Sequence, residues 1–181
     1  MLDSSAVVER AWRAWAKRYD ISIDELFAAI HGVRGEDIIR RFGPPDVNIA
    51  AEVTWLLKVE LSDVEGIVPI AGIEAFLSDI DPLSWAVVTS ASKRLAALRL
   101  RAAGLPMPET LVAAEDVIRG KPHPDGFLKA ATMLGVPINE CLIFEDSTAG
   151  VAAAKATGAH VVIVGDRVPA SEGTFIISDY R

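Results

Sequence analysis

The chain has 181 residues, 51% of them hydrophobic and 24% charged, a balance that excludes a disordered polypeptide and provides enough apolar surface for a core. Its net charge of −7 argues against general nucleic-acid binding, which depends on Lys and Arg neutralising phosphates, although a local site can still bind a small anion. Cys141 is the single cysteine, so no intramolecular disulfide can form. Residues 1–6 lack a signal-peptide pattern and no apolar run is long enough to span a membrane, so we expect a cytoplasmic protein with no membrane association.

The first third of the chain shows helical periodicity and little strand signal. Ser5 can cap a helix reaching Arg18, and Val8, Ala11, Trp12 and Trp15 fall on one of its faces. Further helices are predicted from Ser22 to Ile30, from Glu36 to Phe42, and from Asp46 past Leu61, with a Gly43-Pro44-Pro45 break between the last two. We therefore expect an α-helical module over residues 1–66.

From Gly66 onward short apolar runs alternate with helical segments, which is typical of βαβ units and a parallel sheet. Residues 68–72 are predicted to form a linker. Strands are predicted at 85–90, 111–114, 142–144 and 160–164, and helices at 73–80, at 92–103, after Pro124 and up to Thr157. The expected fold class is therefore α/β, with a Rossmann-like parallel core over residues 67–181 preceded by the helical module.

Polar residues follow three of these predicted strands or helices, in the order hydroxyl, lysine, acid. Thr89-Ser90-Ala91-Ser92 offers hydroxyls and backbone N–H groups at a helix start, which suits phosphate oxygens but equally suits ordinary capping. Gly120-Lys121-Pro122-His123-Pro124 is a stiff loop around a lysine that can neutralise a phosphoryl group or simply be solvated, and we expect His123 to be structural. Glu145 and Asp146 suit Mg²⁺, although Asp146 can also cap the following helix. Together the three features indicate phosphoryl chemistry assisted by a divalent cation.

These motifs resemble those of the haloacid dehalogenase-like hydrolases, and within them the helical-cap phosphatases of sugar and polyol phosphates. The likeness covers Val87–Ser92, Gly120–Asp125 and Phe144–Gly150, together with the cap loop His31-Gly32-Val33-Arg34 and the return segment Pro69–Gly72. The resemblance implies that Ser90, or Thr89 in a shifted alignment, and the Ala91 N–H hold a phosphoryl group neutralised by Lys121. It implies that Asp146 binds Mg²⁺ with Glu145 beside it or behind it. It also implies that His31 and Arg34 contact the leaving group of a small phosphorylated metabolite.

The family's first motif, an Asp-x-Asp-Gly-Thr run after a central strand, has no full counterpart here. Met1-Leu2-Asp3-Ser4-Ser5 matches only the end of that run, so Asp3 is not assigned as the nucleophile. The resemblance places the missing strand between the strands that end at Ser90 and Asp146. We therefore expect that the natural protein begins upstream of Met1 and that this chain lacks the nucleophilic aspartate. The ending Ile176–Arg181 gives a weaker indication of the same kind.

Several functions share these features. The first hypothesis is an Mg²⁺-dependent phosphatase that works through an aspartyl-phosphate, and its nearest rival is a β-phosphoglucomutase-like phosphoryl transferase. A noncatalytic phosphate- or Mg²⁺-binding protein is the alternative from a different class. A response-regulator receiver fits poorly because of the helical insertion, and a dehalogenase would not need Lys121 beside a phosphate-type loop. The substrate and the oligomeric state are left open by the sequence.

Overall fold

A computed structural model describes residues 1–181, and its elements follow the predicted order of a helical part and then an alternating part. The helices are α1 (Ser5–Tyr19), α2 (Ile23–Ile30), α3 (Gly35–Phe42), α4 (Ile49–Leu61), α5 (Ile73–Ser78), α6 (Lys93–Ala102), α7 (Asp125–Leu134) and α8 (Thr148–Lys155). The strands are β1 (Leu2–Asp3), β2 (Val68–Pro69), β3 (Ala86–Val88), β4 (Thr110–Val112), β5 (Leu142–Glu145), β6 (His160–Val164) and β7 (Thr174–Ile177). No helix has the length and apolarity needed to cross a lipid bilayer.

Helices α1 to α4 pack around an apolar cluster of their own. Its members lie between Ala11 and Leu56, and Trp15 is fully buried at its centre with its indole N–H donated to Glu52 at 3.0 Å. The predicted helical face of α1 is therefore the buried one, because aromatic and small residues recur there every three to four positions. Val7, one turn earlier, packs instead with Ile67 and Ile73 of the second part of the chain. The division of the chain at Gly66 stays a prediction.

Two short antiparallel strands join the two parts of the chain. β1 pairs with β2 through Leu2 opposite Pro69 and Asp3 opposite Val68. The prediction of an unstructured linker over residues 68–72 is wrong for its first two residues, since two-residue strands are too short to give a periodic signal. The outgoing and returning connections of the helical part are thus hydrogen-bonded side by side.

The parallel strands form two separate sheets. β3 pairs with β4, while β5, β6 and β7 form a three-stranded sheet in that order. Parallel strands alternating with helices confirm the predicted α/β class. β7 was not predicted, because its central residues Phe175 and Ile176 are exposed and no alternation of apolar and polar residues marks it.

A cavity of about 840 Å³ separates the two sheets. It is lined on one side by β3 and on the other by β5, and most of its lining residues are hydrophobic. Neither strand has a hydrogen-bonded neighbour on the side facing the cavity, since β3 pairs only with β4 and β5 only with β6. Unpaired strand edges facing an apolar space leave backbone N–H and C=O groups without partners. The carboxyl ends of both strands point to the same end of this cavity, where the predicted site residues lie.

Candidate active site

The two serines after β3 make different hydrogen bonds. Ser92 is the N-cap of α6, because its hydroxyl accepts the Leu95 N–H at 3.3 Å. Ser90 is not used for capping, and its hydroxyl donates instead to the Gly32 carbonyl of the cap loop at 2.7 Å. The capping explanation therefore accounts for Ser92 and not for Ser90. The Ala91 N–H donates to the Thr89 hydroxyl at 3.1 Å, so in this conformation those two groups satisfy one another.

Lys121 connects the ends of the two sheets. Its ammonium group donates to the Val88 carbonyl at 3.2 Å, at the end of β3, and to the Glu145 carboxylate, at the end of β5. The Lys121 side chain is only 11% exposed, so it is not the solvated lysine of an ordinary surface loop. His123 in the same loop is exposed and makes no side-chain hydrogen bond. The lysine is thus fixed as a buried positive charge where the cavity meets both strand ends.

Glu145 faces inward, and both of its carboxylate oxygens accept hydrogen bonds. One carboxylate oxygen pairs with Lys121, and the other accepts the N–H groups of Asp146 at 3.0 Å and Ser147 at 3.3 Å and the Ser147 hydroxyl at 3.1 Å. Burial on its own would raise the pKa of Glu145, but Lys121 and the two backbone N–H groups outweigh it and lower the pKa below its ordinary value. Gly150 is required here, because a Cβ at that position would overlap the Glu145 carboxylate.

Asp146 faces outward from the same strand end. The cap of α8 is Ser147, whose hydroxyl accepts the Gly150 N–H at 3.1 Å, so capping does not explain Asp146. The Asp146 side chain is 57% exposed and its carboxylate is paired with Arg167 at 3.2 Å. The two adjacent acids therefore point in different directions, one toward Lys121 and one toward solvent.

The Asp146 carboxylate is the one at this site that a divalent cation can reach, because it is exposed, whereas the Glu145 carboxylate is buried against Lys121. The chain contains no group of three or more His, Cys, Asp or Glu side chains arranged to hold a metal ion. Mg²⁺, however, is commonly held by one or two carboxylates and completes its shell with water and substrate phosphate oxygens. Asp146 fits that mode of binding, and Glu145 as placed here would act behind it by positioning the strand end and Lys121.

The cap loop between α2 and α3 closes over these strand ends. Gly32 has a φ of +77°, a conformation that side chains with a Cβ rarely adopt, and a Cβ there would overlap the Ser147 hydroxyl. This close approach places the Gly32 carbonyl on Ser90. A glycine is therefore needed at this point for the helical part to seat against the carboxyl end of the sheet.

The two cap residues singled out from sequence occupy different positions. His31 lines the large cavity together with Asp146, and burial, followed by the positive charge of Arg167, lowers its pKa. Arg34 is 17% exposed, forms a two-pronged pair with Asp37 at 2.8 and 3.2 Å, and donates to the Ile118 carbonyl at 3.1 Å. It thus ties the cap to the loop that carries Lys121, and it lines a smaller pocket beside Ser90.

The structure brings most of the predicted site residues to one cavity and adds two that the sequence analysis missed. The cavity is lined by His31, Thr89, Ser90, Ala91, Lys121, Glu145 and Asp146. The additions are Arg167, which follows β6, and Tyr180, whose pKa is raised to about 12 by burial and by the nearby Asp146 and Glu145. Polar residues just after the carboxyl end of a parallel strand are site candidates, and Arg167 meets this criterion because it closely follows the apolar strand β6. Tyr180 carried no such signal.

Known proteins share this chain's sequence and fold. Residues 1–164 match the family model described as haloacid dehalogenase-like hydrolase. Hexitol phosphatase A of Escherichia coli (strain K12) is 43% identical over 168 residues, which cover 91% of this chain and 78% of that protein. Glycerol-1-phosphate phosphohydrolase 2 of Saccharomyces cerevisiae is 30% identical over 173 residues, covering 88% of this chain and 68% of that one.

A solved structure shows the same fold. The crystal structure of β-phosphoglucomutase from Clostridium difficile superimposes with a TM-score of 0.82 over 99% of this chain and 86% of that one, at 21% identity. That likeness supports the architecture alone, whereas the family match and the two phosphatases extend over most of the sequence. The resemblance inferred from the motifs is thereby confirmed, and the chain belongs to the haloacid dehalogenase-like hydrolases.

Proposed function

We propose that this protein is a phosphatase of small phosphorylated sugars or polyols, acting with Mg²⁺ through an aspartyl-phosphate intermediate. The observation that carries the proposal is the convergence of Ser90, Lys121 and Asp146 at the carboxyl ends of β3 and β5, on one cavity beneath a helical cap. Ligands of open α/β sheets bind at this edge. The hexitol and glycerol phosphatases named above act on small polyol phosphates according to their names, which supports the same substrate class here.

Ser90 and Lys121 are proposed to bind the phosphoryl group. A hydroxyl donor and a buried ammonium stabilise phosphate oxygens more strongly in this setting than in water, because the site has a low effective dielectric constant. The Ser90 hydroxyl now donates to Gly32, so a phosphate must replace that carbonyl as the hydrogen-bond acceptor. Substrate entry therefore requires the cap loop to withdraw, and its return would shield the site from water.

Asp146 is proposed to hold Mg²⁺ together with a phosphate oxygen and water. When bound there, the ion would neutralise charge on the transferring phosphoryl group. Glu145 keeps Lys121 at the ends of both sheets and keeps the Ser147 cap of α8 in place. His31 and Arg34 are proposed to contact the part of the substrate that leaves as an alcohol, since both reach the strand ends from the cap.

The nucleophile is proposed to enter on a strand that fills the cavity between β3 and β5. The cavity is apolar, is bordered by two strand edges without partners, and ends at Ser90, Lys121 and Asp146. A strand-forming segment with an aspartate at its carboxyl end would pair with both edges. Its carboxylate would then attack phosphorus, the P–O bond to the substrate would break, and the alkoxide would leave with a proton from a second acid. Water would next cleave the acyl phosphate to phosphate and free carboxylate.

The test is phosphate release from a panel of hexitol, hexose and glycerol phosphates with Mg²⁺. Four proteins are compared: this chain, this chain extended at its N-terminus by a strand-forming segment carrying Asp-x-Asp, the same extension with its first Asp replaced by Asn, and the extended Asp146→Asn variant. Activity is expected in the extended protein alone, and it should be lost on adding EDTA. Trapping of labelled phosphate on the first Asp of the extension would identify the intermediate.

Other outcomes would contradict the proposal in distinguishable ways. Activity in this chain without an extension, abolished by Asp146→Asn, would mean that a carboxylate already present is the nucleophile. Transfer of phosphate to a second sugar position, without release, would indicate a phosphomutase. Absence of activity in all four proteins, together with saturable binding of inorganic phosphate, would indicate a noncatalytic phosphate-binding protein.

A further inference from the structure

Arg167 reaches across the end of the cavity to two distant parts of the chain. One terminal nitrogen donates to the Asp146 carboxylate at 3.2 Å. The other donates to the Ser5 hydroxyl and lies 3.9 Å from the Asp3 carboxylate. The guanidinium is thus shared between an acid at the end of β5 and the segment that enters α1.

The segment that Arg167 contacts is the junction between the two parts of the protein. Asp3 ends β1 and Ser5 begins α1, and the Asp3 carboxylate accepts the Ser5 N–H at 2.8 Å and its hydroxyl at 2.5 Å. β1 also pairs with β2, the segment that returns from the helices. A change in the contacts of Arg167 with Asp3 and Ser5 therefore acts at the point where the helical cap joins the sheets.

Arg167 is the cationic side chain in contact with the Asp146 carboxylate. Two other cationic groups lie near the end of β5: Lys121 is paired with Glu145, and the Met1 ammonium interacts with Asp146 and Glu145 through charge without a salt bridge to either. A guanidinium and a divalent cation on one carboxylate repel each other, because a separation of a few ångströms is shorter than the distance over which salt screens exposed charges. With 40% of its side chain exposed, Arg167 is free to move away.

We propose that Arg167 is an internal counter-ion shared between Asp146 and the Asp3–Ser5 segment, and that a divalent cation displaces it from Asp146 and leaves it on Asp3 and Ser5 alone, so that cation binding is linked to the cap junction. The inference rests on the proposed function, because it takes Asp146 as the cation-binding carboxylate. The Asp3 carboxylate is close enough to Arg167 to pair with it. Burial works against its ionisation, but hydrogen bonds from Ser5, and then Arg167, lower its pKa and keep it ionised. The guanidinium already lies 3.9 Å from the Asp3 carboxylate, so it stays paired after it leaves Asp146.

The experiment measures Mn²⁺ binding by electron paramagnetic resonance in the presence of inorganic phosphate. Arg167→Ala should bind Mn²⁺ more tightly by roughly two- to five-fold, the worth of one partly exposed ion pair. The matched control is Lys155→Ala, which also removes one positive charge but lies at the opposite end of α8 from Asp146, where its ammonium donates hydrogen bonds to Ser171 and Glu172. The Mn²⁺ affinity of Arg167→Lys should lie between those of the parent and Arg167→Ala, since lysine keeps the positive charge but lacks the planar guanidinium with its two terminal donor nitrogens.

A second measurement tests the link to the cap junction. Mg²⁺ should slow amide hydrogen exchange over residues 4–8 in the parent chain but not in Arg167→Ala. Unchanged or weaker Mn²⁺ binding by Arg167→Ala would overturn the proposal, as would an equal gain in Lys155→Ala or Mg²⁺-independent exchange in the parent. If Asp146→Asn loses Mn²⁺ binding and Arg167→Ala shows no gain, the role of Arg167 is refuted and the cation site at Asp146 stands. Binding retained in Asp146→Asn, or no saturable binding in the parent, would refute the cation site of the proposed function as well.

Discussion

Replacing Glu145 by Gln should destabilise the protein severely, because it leaves the Lys121 ammonium buried without its counter-charge. The two side chains are 6% and 11% exposed, so the unpaired ammonium would be largely desolvated. Removing one partner of a buried ion pair costs about 3–5 kcal/mol. For a chain of this size that corresponds to a fall in Tm of about 6–20 °C.

The assay is urea unfolding followed by far-ultraviolet circular dichroism at neutral pH. The matched control is Glu140→Gln, an exposed acid just before β5, which should change the free energy of unfolding by less than about 0.5 kcal/mol. The double variant Glu145→Gln with Lys121→Met removes both charges and should recover much of the loss, since an apolar replacement of a buried pair is often neutral.

The pH dependence of stability gives an independent check. The pKa of Glu145 is lower in the folded protein than in the unfolded chain, so the unfolded chain takes up the proton first as the pH falls. The stabilisation by ionised Glu145 is therefore complete above the unfolded pKa and is lost as the pH falls below about 4.5 through the folded pKa. Glu145→Gln should lack that part of the acid sensitivity. A loss of stability under about 1 kcal/mol at neutral pH, or a double variant no more stable than the single one, would refute the reasoning.

Two further substitutions test how the cap is seated. Gly32→Ala should cost about 1–2 kcal/mol, because φ is +77° and the new methyl group overlaps Ser147; urea unfolding as stable as the parent's would contradict the close approach. Glu60→Gln should cost about 3 kcal/mol, because it leaves the Arg99 guanidinium without a counter-charge in a pair whose side chains are only 12% and 14% exposed. Thermal unfolding beside the exposed control Glu74→Gln measures this effect, and equal Tm values for the two variants would count against it.

The sequence by itself determined the order of the elements and the positions of the candidate site residues along the chain. α2 begins within one residue of its predicted start at Ser22, and β6 has the predicted bounds. These successes are local, because helical and strand periodicity, Gly-Pro breaks and capping hydroxyls act over a few neighbouring residues. The placement of Ser90, Lys121 and Asp146 at one edge also followed, since parallel strands bring their carboxyl ends together.

The tertiary structure alone decided which partner each side chain takes. Glu145 and Asp146 are adjacent and chemically similar, yet one is buried against Lys121 and the other is exposed beside Arg167. A strand turns successive side chains to opposite faces, but which face meets a buried lysine depends on a residue 24 positions away. The capping of α8 by Ser147 and the contact of Arg167 with Ser5, 162 positions away, were settled by the same kind of long-range packing. Local pattern fixes the elements, whereas ion pairing and burial are fixed by neighbours that only the fold assembles.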